Sequence, residues 1–359
     1  MGRTRRSSRT LLSTQLARTL RLVLPIAVTL SVAMSIAGCG GDAGDTGQPA
    51  PTRSHEATPS SSPEPSDTTT EASPLGGGEL IVFERILRGG EERALYAVGP
   101  NGGEPTLIRS PGEYPHWSAD GSQLAFSGCV NPPDCTTALA LLERSTGEVH
   151  GFPSPDPDLE IHCAIWVPSG DRLACEGLSE DDQARNGVYT VRASDGKGLT
   201  RITKNVDGDD YPLAYSPDGS QLLLDRLDPS RSKPANHALF VTPTSGGQPH
   251  RITPWGLTDD YANWSPDGRT IVFGTDGLLY RVSPDGRGLA EITVTLADGS
   301  SAESAFDVAF SPDGSRIVFS LASPAPGIYT ARPDGSDVQQ LTTSPTEDHH
   351  ANWGAASDS

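Results

Sequence analysis

Apolar residues occur in short runs that return at a fixed interval, separated by polar, turn-forming stretches. LAF at 124–126, LAC at 173–175, LLL at 222–224, IVF at 271–273 and IVF at 317–319 each follow a related turn: WSADG at 117–121, WVPSG at 166–170, YSPDG at 215–219, WSPDG at 264–268 and FSPDG at 310–314. Runs this short, rich in branched and aromatic residues and bounded by Pro and Gly, predict strands rather than helices. A second run then appears: VYTV at 188–191, LFV at 239–241, LYRV at 279–282 and IYT at 328–330. After another Gly-containing turn each unit closes on RIT at 201–203, RIT at 251–253, EIT at 291–293 or QLT at 340–342. Each unit therefore predicts four strands joined by hairpins.

The aromatic residues that open the turns set the period. Trp117, Trp166, Tyr215, Trp264, Phe310 and Trp353 are 43 to 49 residues apart, an interval that marks a propeller or solenoid. The turn itself has a conformational purpose. Pro presets φ, Asp accepts hydrogen bonds from the amides that follow, and Gly takes the left-handed position. Asp218, Asp267 and Asp313 are accordingly turn residues and not candidate catalytic groups. The final unit stops at Trp353-Gly354 without its apolar strands, while LIVF at 80–83, LYAV at 95–98 and PTLI at 105–108 stand unpaired at the other end. Joining the two removes every exposed sheet edge. The prediction is an all-β protein: a six-bladed β-propeller of four-stranded antiparallel blades, its last blade closed by N-terminal strands. Residues 78–359 are long enough for two domains, but the unbroken repeat predicts one.

W-S-P-D-G, I-V-F, the L-Y strand and the closing I-T together resemble the repeats of the TolB C-terminal propeller. They are similar, more loosely, to dipeptidyl-peptidase-type propellers and to bacterial WD-repeat-like lipoproteins. The resemblance covers essentially all of 78–359 and rests on turn and packing residues. It implies the fold, an extracytoplasmic setting and recognition of partner proteins through the channel mouth and its loops. The N-terminal α/β domain of TolB has no counterpart here, and no G-x-S-x-G suggests a peptidase.

Ahead of the repeats the chain changes character twice. Six Arg and no acid occupy residues 1–21, an apolar run follows at 22–37, and Ile36-Ala37-Gly38-Cys39 resembles the bacterial lipobox. This pattern predicts an export signal over 1–38, with Cys39 lipidated and anchoring the chain to the outer face of a membrane. Arg5-Arg6 raises the twin-arginine route, although Ser7 and Ser8 stand where that motif prefers apolar residues. Residues 39–77 are almost all Gly, Ser, Thr, Pro, Ala, Asp and Glu, a composition that cannot form a core and predicts an extended acidic tether. The whole chain carries 27 bases and 46 acids. Without 1–38 it carries 21 bases against 46 acids, a net charge of −25. Such a surface lacks the basic footprint of a nucleic-acid binder.

Candidate chemistry gathers at one face. In a propeller blade the inner strand starts beside the loops joining second and third strands, here 84–93, 127–137, 176–187 and 225–237. Near those starts stand Glu113, His162, Asp210, Asp260, Asp307 and His349. Carboxylates and imidazoles around a channel suit a protein or peptide partner, Ca²⁺ or another divalent metal, or plain hydration. Their spacing follows the blade period, so no local motif supports a metal, and no cofactor is expected. Cys129, Cys135, Cys163 and Cys175 form an even set fitting disulfides in an oxidising compartment, with 163–175 and 129–135 one natural pairing. The expectation is a monomeric, lipid-anchored, non-enzymatic module that binds a protein or peptide in the cell envelope. The alternative is a metal-dependent ligand binder, hydrolase or lyase using the same mouth residues.

Overall fold

The computed structural model describes residues 75–359 except 88–89, 91, 129, 131–138, 180, 206–207, 234, 258–260 and 358–359, with the backbone alone at 163–164. The chain divides into two units, 1–64 and 65–359, and the first lies outside the described residues. The segments predicted as leader and tether up to residue 74, with Cys39, and also Cys129, Cys135 and Asp260, lie outside them.

Six four-stranded antiparallel sheets follow one another around a ring, each in contact with the next. Five are built from consecutive strands. Their inner strands are Glu113–Trp117 in blade 2, Glu160–Trp166 in blade 3, Asp210–Tyr215 in blade 4, Asn263–Trp264 in blade 5 and Ala305–Phe310 in blade 6. Blade 1 takes Leu80–Ile86, Arg93–Val98 and Thr106–Arg109 from one end of the repeat region and Asp348–Gly354 from the other, with Ile81 opposite Trp353. The six blades and their mixed closure match the period and the two unpaired ends of the sequence.

The second strand of each blade explains the uniform apolar triplets. Ile81 to Phe83, Leu124 to Phe126, Leu173 to Cys175 and Leu222 to Leu224 are entirely buried, as are their counterparts in blades 5 and 6. Both faces of these strands are covered by neighbouring blades, so alternation disappears, as in any sheet buried on two sides. Each large side chain so buried contributes on the order of 1.5–3 kcal/mol. The aromatic landmarks pack one blade onto the one before: Trp117 lies with Leu95 and Ala97 of blade 1, and Trp264 with Leu239 and Val241 of blade 4.

The turns after the landmarks behave as their composition requires. Asp218 Oδ1 accepts from Ser216 Oγ at 2.7 Å, Ser220 N at 3.0 Å and Ser220 Oγ at 2.8 Å, while Gly219 takes φ 70°. Asp120, Asp267 and Asp313 repeat the arrangement. The Ser216 and Ser220 hydrogen bonds hold the Asp218 carboxyl down at about 2.

Candidate functional site

The start of each inner strand is irregular in a consistent way. In blades 1, 2, 3, 4 and 6 the inner strand carries one extra residue against its partner, a bulge two or three positions before the aromatic landmark. Bulges bend a strand and re-aim side chains. In three blades the residue three before the landmark turns left-handed: Tyr114 at φ 50°, Asp307 at φ 53° and His350 at φ 53°. For Tyr and His this conformation costs on the order of 1–3 kcal/mol and persists only where surroundings enforce it.

Two buried carboxylates hold the His350 and Tyr114 amides in this conformation. Asp307 Oδ2 accepts from the His350 amide at 2.9 Å. Glu84, fully buried on the second strand of blade 1, accepts from the Tyr114 amide at 3.3 Å and bonds His350 Nδ1 at 3.2 Å. Its other oxygen is paired with Arg93. His349 bridges Asp307 at 3.5 Å and Glu347 at 3.2 Å. Burial pushes the Glu84 carboxyl up, but His350 and Arg93 outweigh it and its pKa falls below the ordinary value. Asp307 is likewise lowered, with His350 and His349 outweighing burial. Burial also opposes charge on His349, yet Asp307 and Glu347 raise its pKa to about 10. His350 moves up in the same way, through Asp307 and Glu84.

Next to this charged layer, among the described residues, one side chain spans the ring. Tyr261, in the segment leading into blade 5, crosses to the opposite blade and donates its hydroxyl to Pro115 O at 3.2 Å. Its ring lies 5.1 Å from that of His116 and 5.4 Å from that of His350, which in turn lies 4.5 Å from Tyr114. Tyr261 is 4% exposed. Burial drives its hydroxyl pKa well above the ordinary value and, with the nearby His350, drives His116 down to about 3. The mouth is thus a cup with an aromatic floor. The ring of Phe306, half-buried, lies 5.0 Å from that of His349 in a tilted arrangement.

The predicted residues divide around this cup. Asp307 and His349 belong to it. Glu113 lies half-buried beside it, its carboxyl raised by burial and by Glu84. His162 is half-exposed and contacts Glu160 at 3.1 Å. Asp210 has a different role: fully buried, it forms a bidentate pair with Arg226 at 2.7 and 2.8 Å. Asp348 repeats that pair with Arg85, whose guanidinium also lies 5.0 Å from the Tyr96 ring. Both pairs tie an inner strand to the second strand. Cys163 and Cys175 are direct register partners across blade 3. Among the described residues no three His, Cys, Asp or Glu side chains are grouped to hold a metal ion.

Tyr114, Tyr261 and His350, sequence neighbours of Glu113, Asp260 and His349 at the same strand starts, complete the cup together with Glu84, which was not singled out from the sequence. For Glu84 a signal existed. An acid follows the apolar run of the second strand in three blades, at Glu84, Glu176 and Asp225, and all three are buried.

With this geometry established, solved structures supply the comparison. A TolB-type protein of Agrobacterium tumefaciens superposes with a TM-score of 0.53 at 19% identity, over 77% of this chain and 90% of that one. TolB of Acinetobacter baumannii gives 0.56 at 17% identity, over 80% and 69%. The fold is shared with TolB. A chain of a nidogen–laminin complex gives 0.57 at 9% identity, over 78% of this chain and all of that one. In sequence, dipeptidyl-peptidase 5 of Aspergillus fumigatus is 23% identical over 161 residues, 43% of this chain. The match spans 22% of that relative's length. No family model matches the sequence.

Proposed function

We propose that the propeller is a protein- or peptide-binding module of the cell envelope, held at the outer face of a membrane through a lipidated Cys39, and that the mouth cup receives the partner. The observation that carries this reading is the strained floor. Three left-handed residues from three blades meet on one face, two of them, Tyr114 and His350, held through their amides by the buried carboxylates of Glu84 and Asp307. Strain is retained where a surface has a task to perform. The half-exposed Tyr114, Phe306 and His162 around it offer aromatic and polar contact, and the neighbouring loops are the variable part of the scaffold. The TolB and nidogen comparisons support a propeller used as a binding scaffold. The Cys163–Cys175 register supports a disulfide, and the leader sequence supports an oxidising compartment.

Photo-crosslinking residues placed in turn at His162, Phe306 and, as a control on the turn face, the exposed Ser220 of blade 4 test the reading in cells. Capture from the first two positions and not from the third is expected, with loss of capture in His349→Ala. Equal capture from Ser220 overturns the assignment of the face. The anchor is tested separately: Cys39→Ser should move the protein from the membrane to the soluble fraction.

A further inference from the structure

The opposite face breaks the symmetry of the ring at one junction. Wherever one blade receives the landmark aromatic of the next, the third strand of the receiving blade presents a small or apolar residue: Ala97, Leu141, Thr190, Val241 and Thr330 in blades 1, 2, 3, 4 and 6, all at most 4% exposed. Register fixes the equivalence, since these residues lie opposite Val82, Ala125, Ala174, Leu223 and Val318 on the second strands. In blade 5 the residue opposite Val272 is Arg281, and it is exposed. The aromatic that follows it is Phe310, half-buried, whereas the other five landmarks are Trp or Tyr and at most 9% exposed. In blades 3 and 6 an Arg from the second strand seals this position by bonding the third-strand Thr: Arg172 to Thr190 at 3.0 Å, Arg316 to Thr330 at 3.2 Å. Blade 5 has Thr270 at the sealing position and no such bond.

These departures leave a cavity of about 290 Å³ between blades 5 and 6. Phe310, Pro266 and Pro333 form apolar walls, and Arg281, Asp267 and Asp313 supply charge. Among the described residues Arg281 makes no hydrogen bond or ion pair. Asp267 and Asp313 spend Oδ1 on their turns, and the turn bonds leave Oδ2 free to accept from a ligand. A guanidinium and carboxylates lining one cleft with apolar walls are complementary to a small zwitterion. We propose that this cleft binds a short free peptide with an apolar side chain, its carboxylate on Arg281, its ammonium on Asp267 or Asp313 and its side chain against Phe310. Charge-assisted bonds from a guanidinium to a carboxylate are among the stronger polar contacts available. The volume lies at the lower end for small-molecule sites.

Titration calorimetry of the purified propeller with Ala–Phe, Ala–Leu and Gly–Val, each also N-acetylated and C-amidated, tests this. Binding of at least one free dipeptide at millimolar strength is expected, weakened about tenfold or more by blocking either end. Arg281→Gln should weaken binding to a similar degree. Phe310→Trp, which places here the landmark of four other blades, should fill the cleft and abolish binding while leaving the melting temperature equal or higher. His349→Ala, at the far mouth, should leave binding unchanged, which separates this site from the partner face. Absence of binding by all three dipeptides, or undiminished binding of the doubly blocked forms or of Phe310→Trp, overturns the proposal.

Discussion

Glu84 is the residue on which the mouth depends. It holds an imidazole, a guanidinium and a strained amide with one carboxylate, and it does so without contact with water. Removing its charge leaves Arg93 and His350 without their buried partner, the situation in which a broken ion pair is most costly. Glu84→Gln should therefore lower unfolding stability by about 3 kcal/mol, measured by urea titration with an unchanged slope. The histidines give this cluster a pH signature with a definite sign. The His349 pKa stands at about 10 in the folded protein against an ordinary 6.5. Its contribution is therefore fully present below the ordinary value and is lost as pH rises through about 10. Glu84 and Asp307 are shifted the other way, so what they contribute is lost as pH falls through their depressed values. Melting temperature should fall between neutral and alkaline pH in the wild type, and that fall should be shallower in His349→Gln.

Among the elements, the two segments that close blade 1 are held by more than a strand pair. Arg144, at the end of the third strand of blade 2, is 1% exposed. It donates to Gly76 O at 2.6 Å, Ala355 O at 2.9 Å and Gly121 O at 3.1 Å, and also to Gly78 O. Its guanidinium lies 4.9 Å from the Trp117 ring. One side chain thus binds the segments before and after the closing strands to a turn of the next blade. Arg144→Met keeps much of the apolar stem and removes every donor, and should cost about 3 kcal/mol from the carbonyls left without partners. Thermal unfolding checks this, with Lys expected to recover only part because it lacks the planar fork. The closure could be read from the sequence because unpaired LIVF and LYAV at one end complement a missing set at the other. Arg144 could not, since its partners are main-chain carbonyls brought together only by that closure. The bulges were hidden for a similar reason: nothing in Glu-Tyr-Pro-His-Trp or His-His-Ala-Asn-Trp states that Tyr114 or His350 is left-handed. Asp210 was visible as an acid near the mouth. The sign that it is structural lies on another strand, where Asp225-Arg226 repeats Glu84-Arg85 and supplies the Arg that Asp210 and Asp348 each engage.

At the scale of the molecule, six blades packed only on their neighbours gain a direct link between opposite sides of the ring. Tyr261 joins blades 5 and 2 across the channel, its hydroxyl on Pro115 O and its ring beside His116. Replacing this buried ring by Ala should cost about 3–5 kcal/mol and open the channel to water, with Tyr261→Phe losing only the hydroxyl bond. Metal enters the same picture through the mouth acids, of which Glu84, Asp307 and Glu347 are already engaged by nearby bases. Adding Ca²⁺ or Zn²⁺, or removing them with chelators, should leave the melting temperature where it is; a rise of several degrees would return weight to a metal-dependent role.

Closure itself supplies the most demanding prediction. A chain ending at Glu347 lacks the inner strand Asp348–Gly354, and with it Ile81, Val82 and Glu84 lose their strand partner, His350 and Asp348 are gone, and Trp117 loses the Asn352 side chain that accepts from its amide at 3.0 Å. An uncovered edge of apolar sequence in blade 1 then invites pairing with another copy. Because the ring has one closure and its blades support one another in sequence, the damage should not stay local. The shortened chain should elute as oligomers and be rapidly cleaved by protease, whereas a chain ending at Ser357 should match the full-length protein in both measurements. If the shortened chain remains a protease-resistant monomer, the five intact blades are stable without the ring, and the closing strand serves the mouth rather than the fold.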